Sequence, residues 1–333
     1  MAGLMGGVSR QTCAATFPQD RFYCLLDELP LHLVPRPAWA AKSKDAGRDL
    51  FLNPECRLFT GEALLDEVAS QKELLSAFAL QGTIAWVHDA DTSSLMPFWL
   101  GPKLESIVRS LRLEEPIPDS VPAFARSILE SAGILVSADY IAHRRTEREE
   151  ALERAAELFR KKGYAPLRGL IHPFHIAALR RYYRYLIRSG RVPLGDGQSS
   201  RRYVAYNDPV ARFFHRQITI PLSAVAGEAV KPSYVYLASY LSGAELKKHV
   251  DREQCEFSIT LCLDFSPEPD LASPWPIRLD TPTGTVTVYQ ALGDGLAYRG
   301  TRLPHYRFPL GNGQTSTSIF FHYVAAGFAG SLD

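Results

Sequence analysis

The stretch Lys248-His249-Val250-Asp251-Arg252-Glu253 (KHVDRE) stands just before a long apolar run, FSITLCLDF, at 257–265. In an extended chain, residues two apart point to the same side. The imidazole of His249 and the carboxylate of Asp251 therefore share a face, either to grip a metal or to end a strand in solvent. Two side chains are too few for a reactive iron site, and His305, at the end of a strand predicted after GDGLAYRGTRLP, is the candidate third ligand. Two imidazoles and one carboxylate on one face of an octahedral ion leave three adjacent positions open.

Around these residues the chain reads as short strands: YVYLASY, FSITLCLDF, WPIRLD, TVTVYQ, GLAYRG and STSIFFHYV. Ser-Gly, Ser-Pro-Glu-Pro, Thr-Pro-Thr-Gly, Gly-Asp-Gly and Gly-Asn-Gly separate them, residues that allow tight reversals. Close-spaced short strands predict a sandwich or open barrel of the jelly-roll type, able to enclose a ligand.

The chain has 333 residues, enough to bury a core without a metal or disulfides as staples. A net charge of +1, from 37 basic and 36 acidic residues, supplies no field to gather nucleic acid or an anionic membrane. The five cysteines (Cys13, Cys24, Cys56, Cys255, Cys262) form no C-x-x-C and read as reduced thiols. The N-terminal MAGLMGGVSRQTCAATFPQD lacks a basic region followed by an apolar segment, and no long apolar run occurs, so a cytoplasmic protein is expected.

Upstream, LLDELPLHLVP is strand-like, PKLESIVRSL and SVPAFARSILESAG carry helical apolar stripes, and Ile134-Leu135-Val136 reads as a short strand. Together they predict a smaller accessory domain over 1–140, mixed α/β or winged-helix-like. The charged helix HRRTEREEALERAAELFRKKG then opens a second domain over 141–333. The fold class expected is α+β, a C-terminal jelly roll with flanking helices behind that accessory domain.

The stretch YLASYLSGAELKKHVDREQCEFSITLCLDF, with GDGLAYRGTRLPHYR and IFFHYV, resembles the Fe(II)- and 2-oxoglutarate-dependent dioxygenase superfamily on its prolyl-hydroxylase-like side. The resemblance covers roughly residues 165–330. It implies a double-stranded β-helix, His249, Asp251 and His305 as iron ligands, 2-oxoglutarate as cosubstrate, O2, and hydroxylation of an aliphatic carbon. The usual Arg or Lys about ten residues after the distal histidine is replaced here by Gln314, Thr315, Ser316 and Thr317. A buried dicarboxylate still needs a cation. Arg307, two residues from His305, is the first candidate and Arg299 the second; Tyr240 and Thr315 or Ser316 could add hydroxyls. The substrate implied is a small molecule, an amino acid or a peptide, including a peptide precursor recruited by the N-terminal domain. The rival reading is a cupin-like barrel that binds metal or ligand without turnover.

Other motifs have plainer explanations. His322 in FFHYV alternates with apolar neighbours and reads as a structural, hydrogen-bonded residue, with substrate contact as the second reading. His172 and His175 (HPFH) read as a helix cap and a core contact rather than a zinc pair, and His88, Asp89 and Asp91 as turn residues. RRYYRYLIRSGR fits one helix with Leu179, Tyr182, Tyr185 and Leu186 inward and its arginines exposed. No G-x-S-x-G or phosphate loop is present, which removes hydrolase and kinase readings.

Overall fold

A computed structural model describes residues 17–29, 50–60, 72–89 and 94–332. The N-terminal part holds β1 (Phe51–Leu52), β2 (Cys56–Thr60), β3 (Thr83–Asp89), β4 (Ser94–Leu100), α1 (Pro102–Ser110), α2 (Ala123–Ser131) and β5 (Leu135–Val136). Strands β2, β3 and β4 form an antiparallel sheet, and β5 pairs with the distant β1. This part is mixed α/β, and its helix-helix-strand order is closed by a non-local pairing. The segment expected to be a strand at Leu25 instead turns as a 3-10 helix over Leu26–Glu28, where Asp27 Oδ1 accepts from the Gly101 N–H at 2.7 Å. The rest of that segment, with Cys13 and Asp91, lies outside the described residues.

The remainder begins with the long α3 (Ala138–Lys162), closed by Gly163 in the left-handed conformation (φ 77°) with its N–H on Phe159 O. Then come β6 (Tyr164–Leu167), α4 (Pro173–Arg188), β7 (Arg202–Tyr206), α5 (Pro209–Gln217) and α6 (Thr219–Ala226). Eight strands follow: β8 (Val230–Tyr240), β9 (Leu246–His249), β10 (Phe257–Ser266), β11 (Ile277–Thr281), β12 (Gly284–Val288), β13 (Gly295–Arg299), β14 (His305–Arg307) and β15 (Thr315–Ala325). Four of them join β6 and β7 in a six-stranded antiparallel sheet, β6-β13-β10-β15-β8-β7, and the other four form a second sheet, β12-β11-β14-β9. The inner faces meet where Ile277 and Leu279 pack on Leu296 and Tyr298, giving a jelly roll.

Residues on β10 alternate. Phe257, Ile259, Leu261 and Leu263 join the core beneath the helices, while Ser258, Thr260 and Cys262 take the opposite face. One hydrophobic cluster runs from Phe22 and Trp99 through Tyr182 and Phe214 to Phe257 and Tyr323, across residue 140. The arginines of α4 are only in part a solvated face: Arg188 and Arg184 are exposed, but Arg184 Nε binds Asp264 Oδ2 at 2.5 Å, Arg180 binds Asp264 and Glu268, and Arg181 lies 3.4 Å over the Tyr23 ring. A bulge in β10 between Cys262 and Asp264 turns that carboxylate toward the helix. Among the described residues, no helix is long and apolar enough to cross a membrane.

Two buried histidines tie the layers together. His175 donates from Nε2 to Pro97 O at 2.8 Å, and His215 Nε2 donates to His322 O at 2.8 Å. Burial lowers their pKa values to about 4 and about 3 respectively. Both are neutral when folded and gain a proton more readily when unfolded, so their contribution is complete above about pH 6.5 and shrinks as the pH falls. Each should remove about 1.4 kcal/mol of stability per pH unit below that point. In urea titrations between pH 6 and 4.5, His175→Gln should flatten the slope by about one such increment; a slope equal to wild type would refute this account.

Candidate metal centre

Strands β9 and β14 are short, and their pairing sets the centre. His305 lies opposite His249, with ring centroids 4.4 Å apart. His249 Nδ1 bonds Lys247 O at 2.8 Å and His305 Nδ1 bonds Leu303 O at 3.0 Å. A carbonyl only accepts, so each Nδ1 carries the proton and each Nε2 keeps a bare lone pair in the neutral ring. Both Nε2 atoms face one carboxylate oxygen, Asp251 Oδ1, at 3.5 and 3.4 Å. The three ligand atoms lie within 4.8 Å of one another.

Two lone pairs converging on an anionic oxygen repel unless a proton or a metal ion lies between them. Burial by itself would raise the Asp251 carboxyl, but the facing rings of His249 and His305 carry it well below the usual range, and Asp251 in turn raises His249. The donor set, two borderline nitrogens and one hard oxygen on one side, suits a divalent transition metal with its other positions open. Behind it, the Asp251 N–H donates to Gly300 O at 2.9 Å, and Asp251 Oδ2 lies 2.9 Å from Ser258 Oγ. A Cβ on Gly300 would collide with Cys255 O, Asp251 Oδ2 and Ser258 Oγ, so only glycine fits there.

His305 and Arg307 share the buried face of β14, and Tyr306 takes the other. Arg307 is 4% exposed, yet among the described residues no carboxylate pairs with it. Its Nη1 donates to Trp275 O and its Nη2 to Gln290 Oε1 at 3.3 Å, while Nε is unpartnered. Burial lowers its pKa. Tyr240 is buried near it, its ring 5.0 Å from Trp275 and its hydroxyl 3.4 Å from Arg202 Nη1. Arg202 is already matched, by Asp196 Oδ2 at 2.6 Å.

The other two residues expected at the cosubstrate lie elsewhere. Arg299 extends over the rings of Phe159 and Phe257, on the helix side of the large sheet, because its neighbour Tyr298 takes the inner side and meets His305 at 4.8 Å. Thr315 shares the parity of Thr317 and Ile319, again the helix side; Ser316, opposite Tyr240, shares the parity of His322. His172 caps α4, accepting from Phe174 N at 3.1 Å, and His88 faces Glu55 at 3.5 Å while Asp89 pairs with Arg148.

Sequence reasoning passed over Ser258, Gly300, Trp275 and Gln290. The polar stripe 258-260-262 inside an otherwise apolar strand was the available signal. A second convergence joins Asp251 and His322 to Cys255, whose thiol is pushed up to about 12 by burial and sits 3.1 Å from the Tyr234 hydroxyl.

No family model matches the chain, and no curated protein matches it. It is similar to the solved structures of SnoN, a non-heme alpha ketoglutarate dependent epimerase from nogalamycin biosynthesis (15% identity, 54% of this chain and 84% of that one, TM-score 0.45), and of a Pseudomonas putida prolyl-4-hydroxylase (16%, 53% and 100%, 0.44). A third is a Burkholderia pseudomallei oxidoreductase of the 2OG-Fe(II) oxygenase family (12%, 52% and 89%, 0.41).

Gly300→Ala should lower stability by about 1–3 kcal/mol through overpacking and weaken metal binding, read by thermal melting and a cobalt titration. Gly327→Ala, where nothing lies within 4 Å of a new Cβ, should change neither. Wild-type metal affinity in the Gly300 variant would show the cradle to be loose.

Proposed function

We propose that the chain is an Fe(II)- and 2-oxoglutarate-dependent oxygenase, with His249, Asp251 and His305 holding the metal and Arg307 holding the far carboxylate of the cosubstrate. The observation that carries this reading is the pairing, on one three-residue strand, of a metal-facing imidazole with a buried guanidinium that lacks an anion. A buried cation without a partner is costly. A dicarboxylate reaching from the metal to Arg307 supplies the missing charge, and a guanidinium fork suits a carboxylate.

When bound, Fe(II) with 2-oxoglutarate and O2 supplies the oxidising power to break an unactivated C–H bond. The chain's own residues bind, orient and dry the site. Lys247 O and Leu303 O hold both imidazoles in their ligating tautomer. Trp275 and Gln290 aim Arg307, and Tyr240 closes the wall beside it. Asp251 fills the third ligand place, which favours hydroxylation over halogenation.

The substrate in this reading is an aliphatic carbon of a peptide, an amino acid or another small molecule, and residues 1–140 serve its recruitment. Anaerobic addition of Fe(II) and 2-oxoglutarate should give the weak visible charge-transfer band of a joint chelate, and O2 should then yield succinate. A silent spectrum and no succinate would favour the non-catalytic cupin-like alternative. Arg307→Met should leave metal affinity intact and weaken 2-oxoglutarate at least about thirty-fold, the low end of the cost of stripping one partner from a buried charge pair. Unchanged 2-oxoglutarate affinity would remove Arg307 from this role.

A further inference from the structure

Resting on the metal reading above, we propose that Ser258 and His322 form a two-step relay that holds Asp251 as a single-oxygen ligand. Ser258 Oγ lies 2.9 Å from Asp251 Oδ2 and 2.9 Å from His322 Nδ1. A serine hydroxyl has one proton to give, and an ionised carboxylate can only accept. Both short contacts are satisfied together in one way: Ser258 donates to Asp251, and the His322 Nδ1–H donates to Ser258. The bond to the carboxylate is charge-assisted, which favours it over the competing contact with Cys255 O at 3.3 Å.

His322 is poorly placed to rotate out of this chain. Its ring stands 4.7 Å from Tyr234 and lies nearly parallel to Phe320, with 7° between the planes. Its backbone carbonyl is held by His215 from α5. Ser258 is wholly buried, and Gly300 leaves just the room that Oδ2 and Oγ occupy.

The consequence is control of denticity. With Oδ2 engaged from behind, Oδ1 alone faces the two imidazoles, so Asp251 would offer a bound metal one oxygen and leave room beside it for a chelating cosubstrate. A carboxylate freed of Ser258 can swing both oxygens to the metal and take up part of that room.

The metal-free protein, titrated anaerobically with Fe(II) and separately with Co(II), tests this without reference to turnover. Ser258→Ala should weaken metal binding 10–100-fold, the usual effect of losing a partner behind a ligand, and Ser258→Thr should restore it. His322→Phe, which keeps the ring stack, should weaken binding in wild type and add nothing in the Ser258→Ala background. The relay is overturned if Ser258→Ala binds within two-fold of wild type. It is equally overturned if His322→Phe exacts its full loss in the Ser258→Ala background, which would make His322 a ligand itself. Should Ser258→Ala fail to fold, His322→Asn decides, since its amide can donate near the place of Nδ1: recovery relative to His322→Phe supports the relay, and no recovery rejects it. Failure of the wild-type protein to take up either metal would retire the metal reading, a result visible before any variant is made.

Discussion

The pairing of β9 with β14 governs everything at the centre. These strands have four and three residues, too few to fix their own alignment, yet a slip of one residue would turn both imidazoles to the outer face. The alignment is imposed from outside. β11 pairs with β14 through Leu279 and His305, the Asp280 N–H bonds Pro304 O, and Ile277 and Leu279 are clamped against Leu296 and Tyr298 of the large sheet. The convergence of the two imidazoles is thus a by-product of sheet packing, with the two backbone carbonyls behind the rings adding only the final rotation.

Charge inside the barrel is arranged with similar economy. Asp251 is surrounded by donors and imidazoles, Arg202 is balanced by Asp196, and Asp264 is shared by two arginines of α4 on the other side of the sheet. Arg307 breaks the pattern, with only neutral acceptors around it. In a low-dielectric interior such an exception is expected where a ligand completes the set.

What could be read in the sequence was local. The two-residue spacing placed His249 beside Asp251 and His305 beside Arg307, and apolar runs marked β8, β10 and β15. Face assignments in mid-strand were harder. Arg299 and Thr315 each lie one residue away from an inner-facing neighbour, and nothing in GLAYR or TSTS says which parity faces the lumen until the sheets are paired. Ser258 and His322 come together only through the β10–β15 register, and Arg180 and Arg184 of α4 look unpaired until a bulge in β10 presents Asp264 to them. β9 and β14 are too short to carry an alternating signal. Each missed feature depends on a pairing between distant segments.

The apolar cluster that crosses residue 140 has a structural cost. Phe22 and Phe78 lean on α4 and α5 through Tyr182, Phe213 and Phe214, and α5 reaches the last strand through His215 and Tyr323. The C-terminal half therefore has no finished exterior of its own: trimming away the first hundred residues would leave its helices wet along a face built for contact. A cut at residue 140 would divide the apolar cluster on which α4 and α5 pack, since Phe22, Phe78 and Trp99 belong to it as fully as Tyr182 and Phe214 do.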